Sequence, residues 1–377
     1  MNPHHPVYPM TTDATFIRPH LPTLALGLLA VLPLLAAFVE VQWGSHSLMA
    51  VVEGLCPLLI FGVLVTGLHL VTGTTGALHL GVAGFMALGA YTFAILSSPV
   101  YPFQVPWGMA LLGSGAMGAL FGVLLGIPVL RLRGDYFAIV SLGFGEIVQD
   151  ALRNMEPVTK GTVGINPIPG PALLDELVAG EGHLAWLGKG GWFYLLFVIL
   201  LMIVGGVVVI ERTSLGRGWA ALRDDELAAR CMGVIVSRAK VYAMILGSAV
   251  CGLAGGLWVS YLGASGEPGN YDVQVSVIVL CGLILGGMGN VWGAVVGVFI
   301  MVGFNSLVLT RITELLTDVG WVSSGNVIAS PLNWKYLIFG LSLVLLMRYR
   351  PEGLFPAKIR RTPERFLPRG TSGVEQG

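Results

Sequence analysis

Side chains able to do chemistry are scarce in this sequence, and where they gather they point to the handling of charge rather than to covalent catalysis. The densest group is ERTSLGRGWAALRDDELAARCMGVIVSRAK, residues 211–240, which holds Glu211, Arg212, Arg217, Arg223, Asp224, Asp225, Glu226, Arg230, Arg238 and Lys240. The whole chain of 377 residues has only 21 basic and 21 acidic side chains, so this one block carries about a quarter of the charge. Elsewhere Glu146 and Asp150 lie four apart in GFGEIVQD, and His69 and His79 flank TGTTG at 72–76. A carboxylate at membrane depth faces a polar pathway or reaches the interface from a helix end, and Glu146 suits either role. The two histidines suit hydrogen-bonded packing, pore lining or proton relay.

Several chemistries are excluded. No G-x-x-x-x-G-K-[ST] phosphate loop occurs, because Gly188–Lys189–Gly190 lacks both the spacing and the hydroxyl residue. HExxH, GxSxG and paired-carboxylate arrangements are missing as well, so the sequence does not describe an enzyme. Cys56, Cys231, Cys251 and Cys281 are scattered without metal-ligand spacing, which argues against a metal site and a disulfide framework. If ATP drives this protein, it is hydrolysed on a partner.

The elements that must position these residues are membrane helices. Hydrophobic residues make up 55% of the chain and charged residues 11%, with a mean hydropathy of +0.79; soluble domains carry about 25% charge. WGMALLGSGAMGALFGVLLGIPVL (107–130) has no charge and is long enough to cross a bilayer. The sequence therefore predicts an all-α integral membrane protein with about ten spans, near 24–40, 50–72, 77–97, 107–130, 135–152, 192–210, 240–262, 275–287, 290–310 and 334–347, some of them broken or re-entrant. Residues 1–23 lack a basic secretory start, so the first apolar run is expected to be an uncleaved helix. One membrane domain covers 24–347, followed by a basic tail at 348–377. With the N-terminus inside, the inner segments carry sixteen Lys and Arg and the outer loops five, which predicts cytoplasmic termini. Loops 153–191 and 311–333 then lie outside, the first with a short helix around 172–179, and 211–240 lies inside.

Within the block, WAALRDDELAARCM is expected to form one helix of about four turns, started by Thr213 or Ser214 and ended by Gly233. Ala220, Leu227 and Cys231 would share a stripe, with Ala221, Ala228 and Met232 beside it. Glu226 and Arg230 stand four apart in the favourable order. The glycine ladders 118–122–126, 282–286 and 289–293–297 read as helix-packing faces, with GGMGN at 286–290 as a break.

Five ordered segments carry a resemblance: RLRGDYFAIVSLGFGEIV (131–148), TKGTVGI (159–165), SLGRGWAALRDDELAARCMGV (214–234), LILGGMGNVWGAVVGV (283–298) and YLIFGLSLVLLMRYRPEGLF (336–355). Together they resemble the permeases of branched-chain amino acid ABC importers over about residues 50–355. The resemblance implies the ABC importer permease fold in a bacterial inner membrane. It also implies a homologous second permease, two ATPase subunits that hold ATP and Mg, and an extracytoplasmic solute-binding protein meeting loop 160–171. It assigns coupling to the ATPase to Gly216, Arg223, Asp224, Asp225, Glu226, Ala229 and Gly233. Substrate-pathway expectations fall on His69, His79, Tyr136, Glu146, Gly286, Gly287 and Gly289. A permease for urea or short amides, or a proton-coupled transporter relaying through Glu146, His69 and His79, are the alternatives.

Overall fold

The computed structural model describes residues 47–129, 135–171 and 185–304, with isolated positions between 337 and 355. The expected spans 24–40 and 334–347, loop 311–333, the helix around 172–179 and most of the basic tail lie outside the described residues. Every long element among the described residues is a helix. In chain order these are α1 (Ser47–Leu68), α2 (Val82–Ser97), α3 (Trp107–Val129), α4 (Asp135–Asn154), α5 (Ala185–Arg212), α6 (Ser214–Asp224), α7 (Glu226–Cys231), α8 (Val236–Leu262), α9 (Val273–Gly286) and α10 (Val291–Gly303). A π-helical turn, His69–Gly73, prolongs α1. The expected TGTTG turn is therefore part of a helix that runs on to Thr75, and the break falls at 76–81.

Among the described residues, five stretches are long and apolar enough to cross a membrane: Gly54–Gly73, Trp107–Pro128, Gly191–Arg212, Val236–Leu262 and Pro268–Gly286. Val82–Ser97 and Val291–Gly303 are apolar but shorter. These seven coincide with seven expected spans. The expected span at 135–152 is helical as α4, yet Asp135, Glu146 and Asp150 give it more charge than the five long stretches tolerate.

Helix α8 organises the bundle because small residues on several of its faces let other backbones come close. Gly67 of α1 meets Gly247 so closely that a Cβ on Gly67 would lie 2.7 Å from the Gly247 carbonyl oxygen. A Cβ on Gly255 would fall on the Met86 carbonyl of α2, and one on Gly118 of α3 on the Ser248 carbonyl. Gly122 meets the Ser248 side chain, so the 118–122–126 ladder is a packing face, as expected. The hairpin α9–α10 closes the same way, Gly282 on Val298 and Gly286 on Gly293. Helices α3 and α5 instead present Leu112, Leu120, Leu124, Met202 and Val209 outward, as lipid-facing helices do.

Loops sort to two ends of this bundle. At one end Ser98 Oγ donates to the Pro167 carbonyl, Tyr101 to Val158 and Tyr91 to Gly266, while Ile165 and Ser265 exchange bonds. At the other end the 73–81 stretch, the 211–236 segment and the 286–290 break meet, as described below. Replacing Gly255 by Leu forces α2 off α8. We expect a loss of about 3 kcal/mol or more in stability, seen as a lowered unfolding midpoint and reduced monodisperse protein in detergent.

Candidate functional site

The charged segment folds as two short helices rather than the single four-turn helix its composition suggested. Asp225 interrupts it in extended conformation (φ −158°) and caps α7, its Oδ1 accepting from the Leu227 and Ala228 amides at 2.7 and 3.0 Å. Such a carboxylate satisfies donors that a continuous helix would have used internally. Thr213 stands at the start of α6, but its hydroxyl donates back to the Ile210 carbonyl instead of capping. Gly216 lies against the Glu211 backbone, where a Cβ would collide with its carbonyl, and Gly233 ends the segment with φ +86°.

The break also changes which side faces inward. The stripe expected from one continuous helix is overturned: Leu227 is 71% and Met232 84% exposed. Gly216, Trp219, Leu222 and Ala229 are the buried residues. Trp219 is fully enclosed, and its indole N–H donates to the Ala239 carbonyl of α8 at 2.9 Å. Glu226 pairs with Arg230 at 2.6 Å, as its spacing predicts, and also with Lys240 of α8 at 2.9 Å. Partial burial opposes ionisation of Glu226, but the Lys240 and Arg230 charges outweigh it and hold the carboxyl below the usual carboxylate range.

Three further bonds, from two side chains, tie the segment to broken helices. Glu211 Oε1 lies 2.8 Å from Nε2 of His69, a fully buried imidazole in the π turn of α1. Arg223 Nη1 donates to the Gly73 carbonyl and Nη2 to the Met288 carbonyl, both at 3.1 Å. Gly76, at φ +75°, leaves room for the arginine stem, whose Cγ would stand 3.3 Å from a Cβ there. Met288 sits in the expected break between Gly287 (φ +109°) and Gly289 (φ +91°), conformations that favour glycine. The amides of Leu354 and Phe355 donate to the Leu285 and Gly286 carbonyls, so the end of α9 is capped by the last two residues of the PEGLF segment. Sequence reasoning missed this cap, although a Gly before an apolar pair is a usable signal for such a return.

Under the segment lies a cavity of about 340 Å³ lined by Val71, Thr75, Phe137, Arg223, Asp225 and Lys240, among others. The structure thus brings His69, His79, Gly286, Gly287 and Gly289 to the same end as the coupling residues, but it gives the expected pathway residues different surroundings. His79 is buried between Phe85 and Phe137, at 5.5 and 5.7 Å, and its Nδ1 has no partner among the described residues. A charged imidazole there would lack any compensating group, which opposes a relay role. Tyr136 is 69% exposed, and Glu146 is half-buried without a hydrogen bond or ion pair among the described residues. Gly286 serves helix packing, and a Cβ on Gly353 would sit on Gly287. No group of residues able to hold a metal occurs among the described residues.

Residues 50–347 match the family model described as the permease component of the branched-chain amino acid transport system. The chain belongs to this permease family. It is 36% identical over 338 residues to the high-affinity branched-chain amino acid transport system permease protein LivM of Escherichia coli K12, covering 84% of this chain and 72% of that one. The LivM protein of Salmonella typhimurium LT2 is 35% identical, covering 79% of this chain and 68% of its own. A probable LivM of Methanocaldococcus jannaschii is 25% identical, covering 81% and 80%. No solved structure matches the chain. As a member of this permease family the protein is a multi-pass membrane transport subunit of the ABC importer class, and the resemblance in the five segments holds.

Because the folded-state pKa of Glu226 is depressed, its tether to Lys240 contributes above the ordinary carboxylate range and fades as pH falls through that lowered value. We expect amide protection factors over 226–231 to stay level from neutral to about pH 5 and to drop below it. Glu226→Gln should give lower protection at neutral pH, converge with wild type at low pH and so lose this dependence, as hydrogen-exchange mass spectrometry can measure.

Proposed function

We propose that this chain is one permease of an inner-membrane importer that moves branched-chain and other hydrophobic amino acids inward, driven by ATP hydrolysed on partner subunits. The observation that carries this reading is the construction of the 211–236 segment. Its polar groups hold it to the chain's own helices, while Leu227 and Met232 stand outward at its tip. A segment held rigidly on one side and free on the other suits receipt of force from another protein, and the matched family supplies the class.

The partners are a homologous second permease, two ABC ATPases carrying ATP and Mg, and an extracytoplasmic solute-binding protein. The basic bias of the sequence places the 73–81, 211–236 and 286–290 end in the cytoplasm, together with both termini. The opposite end, where 98–106 bonds to 154–168 and 154–168 to 263–271, then faces the binding protein. Closure of the ATPases rocks the segment and the helices tied to it between inward and outward access. Glu146, half-buried and without a partner among the described residues, stands beside the pathway to meet a charged end of the amino acid. The apolar substrate names of the relatives support an aliphatic preference.

Docking is tested by Leu227→Glu combined with Met232→Glu. We expect the permease to insert and remain monodisperse while co-purification with its ATPase falls by about tenfold, the effect of about 1.4 kcal/mol. Undiminished co-purification would overturn the docking role. In proteoliposomes with all subunits, labelled leucine uptake should be competed by valine and isoleucine and not by urea. Uptake by this chain alone on a pH gradient would instead favour a secondary transporter.

A further inference from the structure

We propose that Arg223 is a positioning residue that joins the coupling segment to two helix breaks at once, and that its bond to Met288 links two bodies that move relative to each other during transport. This rests on the reading that the segment receives force from an ATPase. Sequence reasoning placed Arg223 on the face that meets the ATPase, but its guanidinium turns inward, onto Gly73 and Met288.

Both acceptors stand at helix C-terminal ends. Gly73 closes the π turn that prolongs α1, and Met288 follows the end of α9 at Gly286. Carbonyls at such ends lack intrahelical donors and carry partial negative charge, so two converging ends make a site suited to a cation. A planar guanidinium presents several donors in a fixed fork and can serve both carbonyls together; an ammonium is a point charge on a flexible stem.

The segment's remaining tethers fall on one side, while the α9–α10 hairpin meets α1 and α2 by other contacts, Gly62 against Phe299 and the Ala83 amide donating to Ser276. Glu211 binds α1 through His69, while Trp219 and Glu226 bind α8 through Ala239 and Lys240. Helices α1 and α8 are themselves locked by the Gly67–Gly247 approach. Segment, α1 and α8 therefore form one body. Among the described hydrogen bonds and ion pairs of the segment, Arg223 to Met288 is the one that reaches the α9–α10 hairpin. That bond can open and close. Arg223 is solvent-exposed, so release strands no buried charge, and Met288 is flanked by Gly287 and Gly289, residue types with backbone freedom on both sides of φ = 0.

The test uses the complete importer in proteoliposomes with Arg223→Lys, Arg223→Gln and the Leu227→Glu/Met232→Glu docking variant. Two readouts are taken: leucine imported per ATP hydrolysed, and amide exchange over 286–290 with and without a non-hydrolysable ATP analogue. We expect both Arg223 variants to keep their ATPase and to import at least about tenfold less leucine per ATP, the loss expected from one charge-assisted hydrogen bond. Wild type should show nucleotide-dependent exchange at 286–290, and both Arg223 variants should lose it. A wild-type ratio in Arg223→Lys would overturn the two-carbonyl clamp. Loss of the ATPase in Arg223→Gln, as in the docking variant, would overturn it too by placing Arg223 on the docking face. Failure of the wild-type chain to hold an ATPase would instead overturn the proposed function.

Discussion

A helix that stops inside an apolar protein leaves carbonyl groups that need donors, and this structure is arranged around meeting that need. Its chain has a low charge content, so the donors are few and their positions matter. The α9 break illustrates the constraint. Leu285 and Gly286 receive backbone amides from 354 and 355, and Met288 receives Arg223. Gly73, at the end of the α1 extension, receives the other half of the same guanidinium. A segment that seems foreign to a membrane protein is thereby what completes the ends of its helices.

Glycine enters the same logic from the packing side. Interhelical attraction in lipid comes from close contact rather than from expulsion of water, so the backbones must approach. Gly67, Gly118 and Gly255 allow this around α8, and Gly282 and Gly286 allow it within the α9–α10 hairpin. Two glycine-packed groups result, α8 with its neighbours and the α9–α10 pair, which meet where Gly62 of α1 faces Phe299 and the Ala83 amide donates to Ser276. Stiff bodies transmit displacement, whereas loosely packed ones absorb it. The polar tethers then decide which body the coupling segment belongs to.

Much of this was legible in the sequence, and the failures have identifiable causes. Helix positions were readable because apolar runs of membrane length are distinctive, and seven expected spans coincide with apolar helices. The glycine ladders 118–122–126 and 282–286 were readable because four-residue spacing repeats one helix face, whereas Gly289 of the third ladder lies in the break before α10. The apolar stripe through Leu227 failed because 3.6-residue periodicity was carried across a break. Asp225 was the available signal, since aspartate favours caps over helix interiors. The direction of Arg223 was not legible, because its acceptors are backbone carbonyls 150 and 65 residues away. Backbone acceptors leave no trace in residue type. The partner of His69 was not legible for a related reason: Glu211 is 142 positions distant and stood out only as part of the charged block.

The charged block also reverses the usual expectation for a surface segment. Glu211, Arg223 and Glu226 are spent on the chain's own helices, and the indole of Trp219 is sealed inside. Outward at the tip stand Leu227 and Met232, apolar side chains that a solvated connector would turn in, among exposed charges such as Asp224 and Arg230. Holding the Glu211 carboxylate against a buried imidazole costs free energy, and a simple connecting loop has no need to incur that cost. It becomes useful when the segment must keep its orientation while something pushes on it, because charge-assisted bonds fix direction in a way that apolar contacts do not. Rigidity on the inner side and an exposed surface that includes apolar side chains on the outer side are complementary halves of one requirement. The segment must come away from nothing within its own body while a partner moves it as a unit.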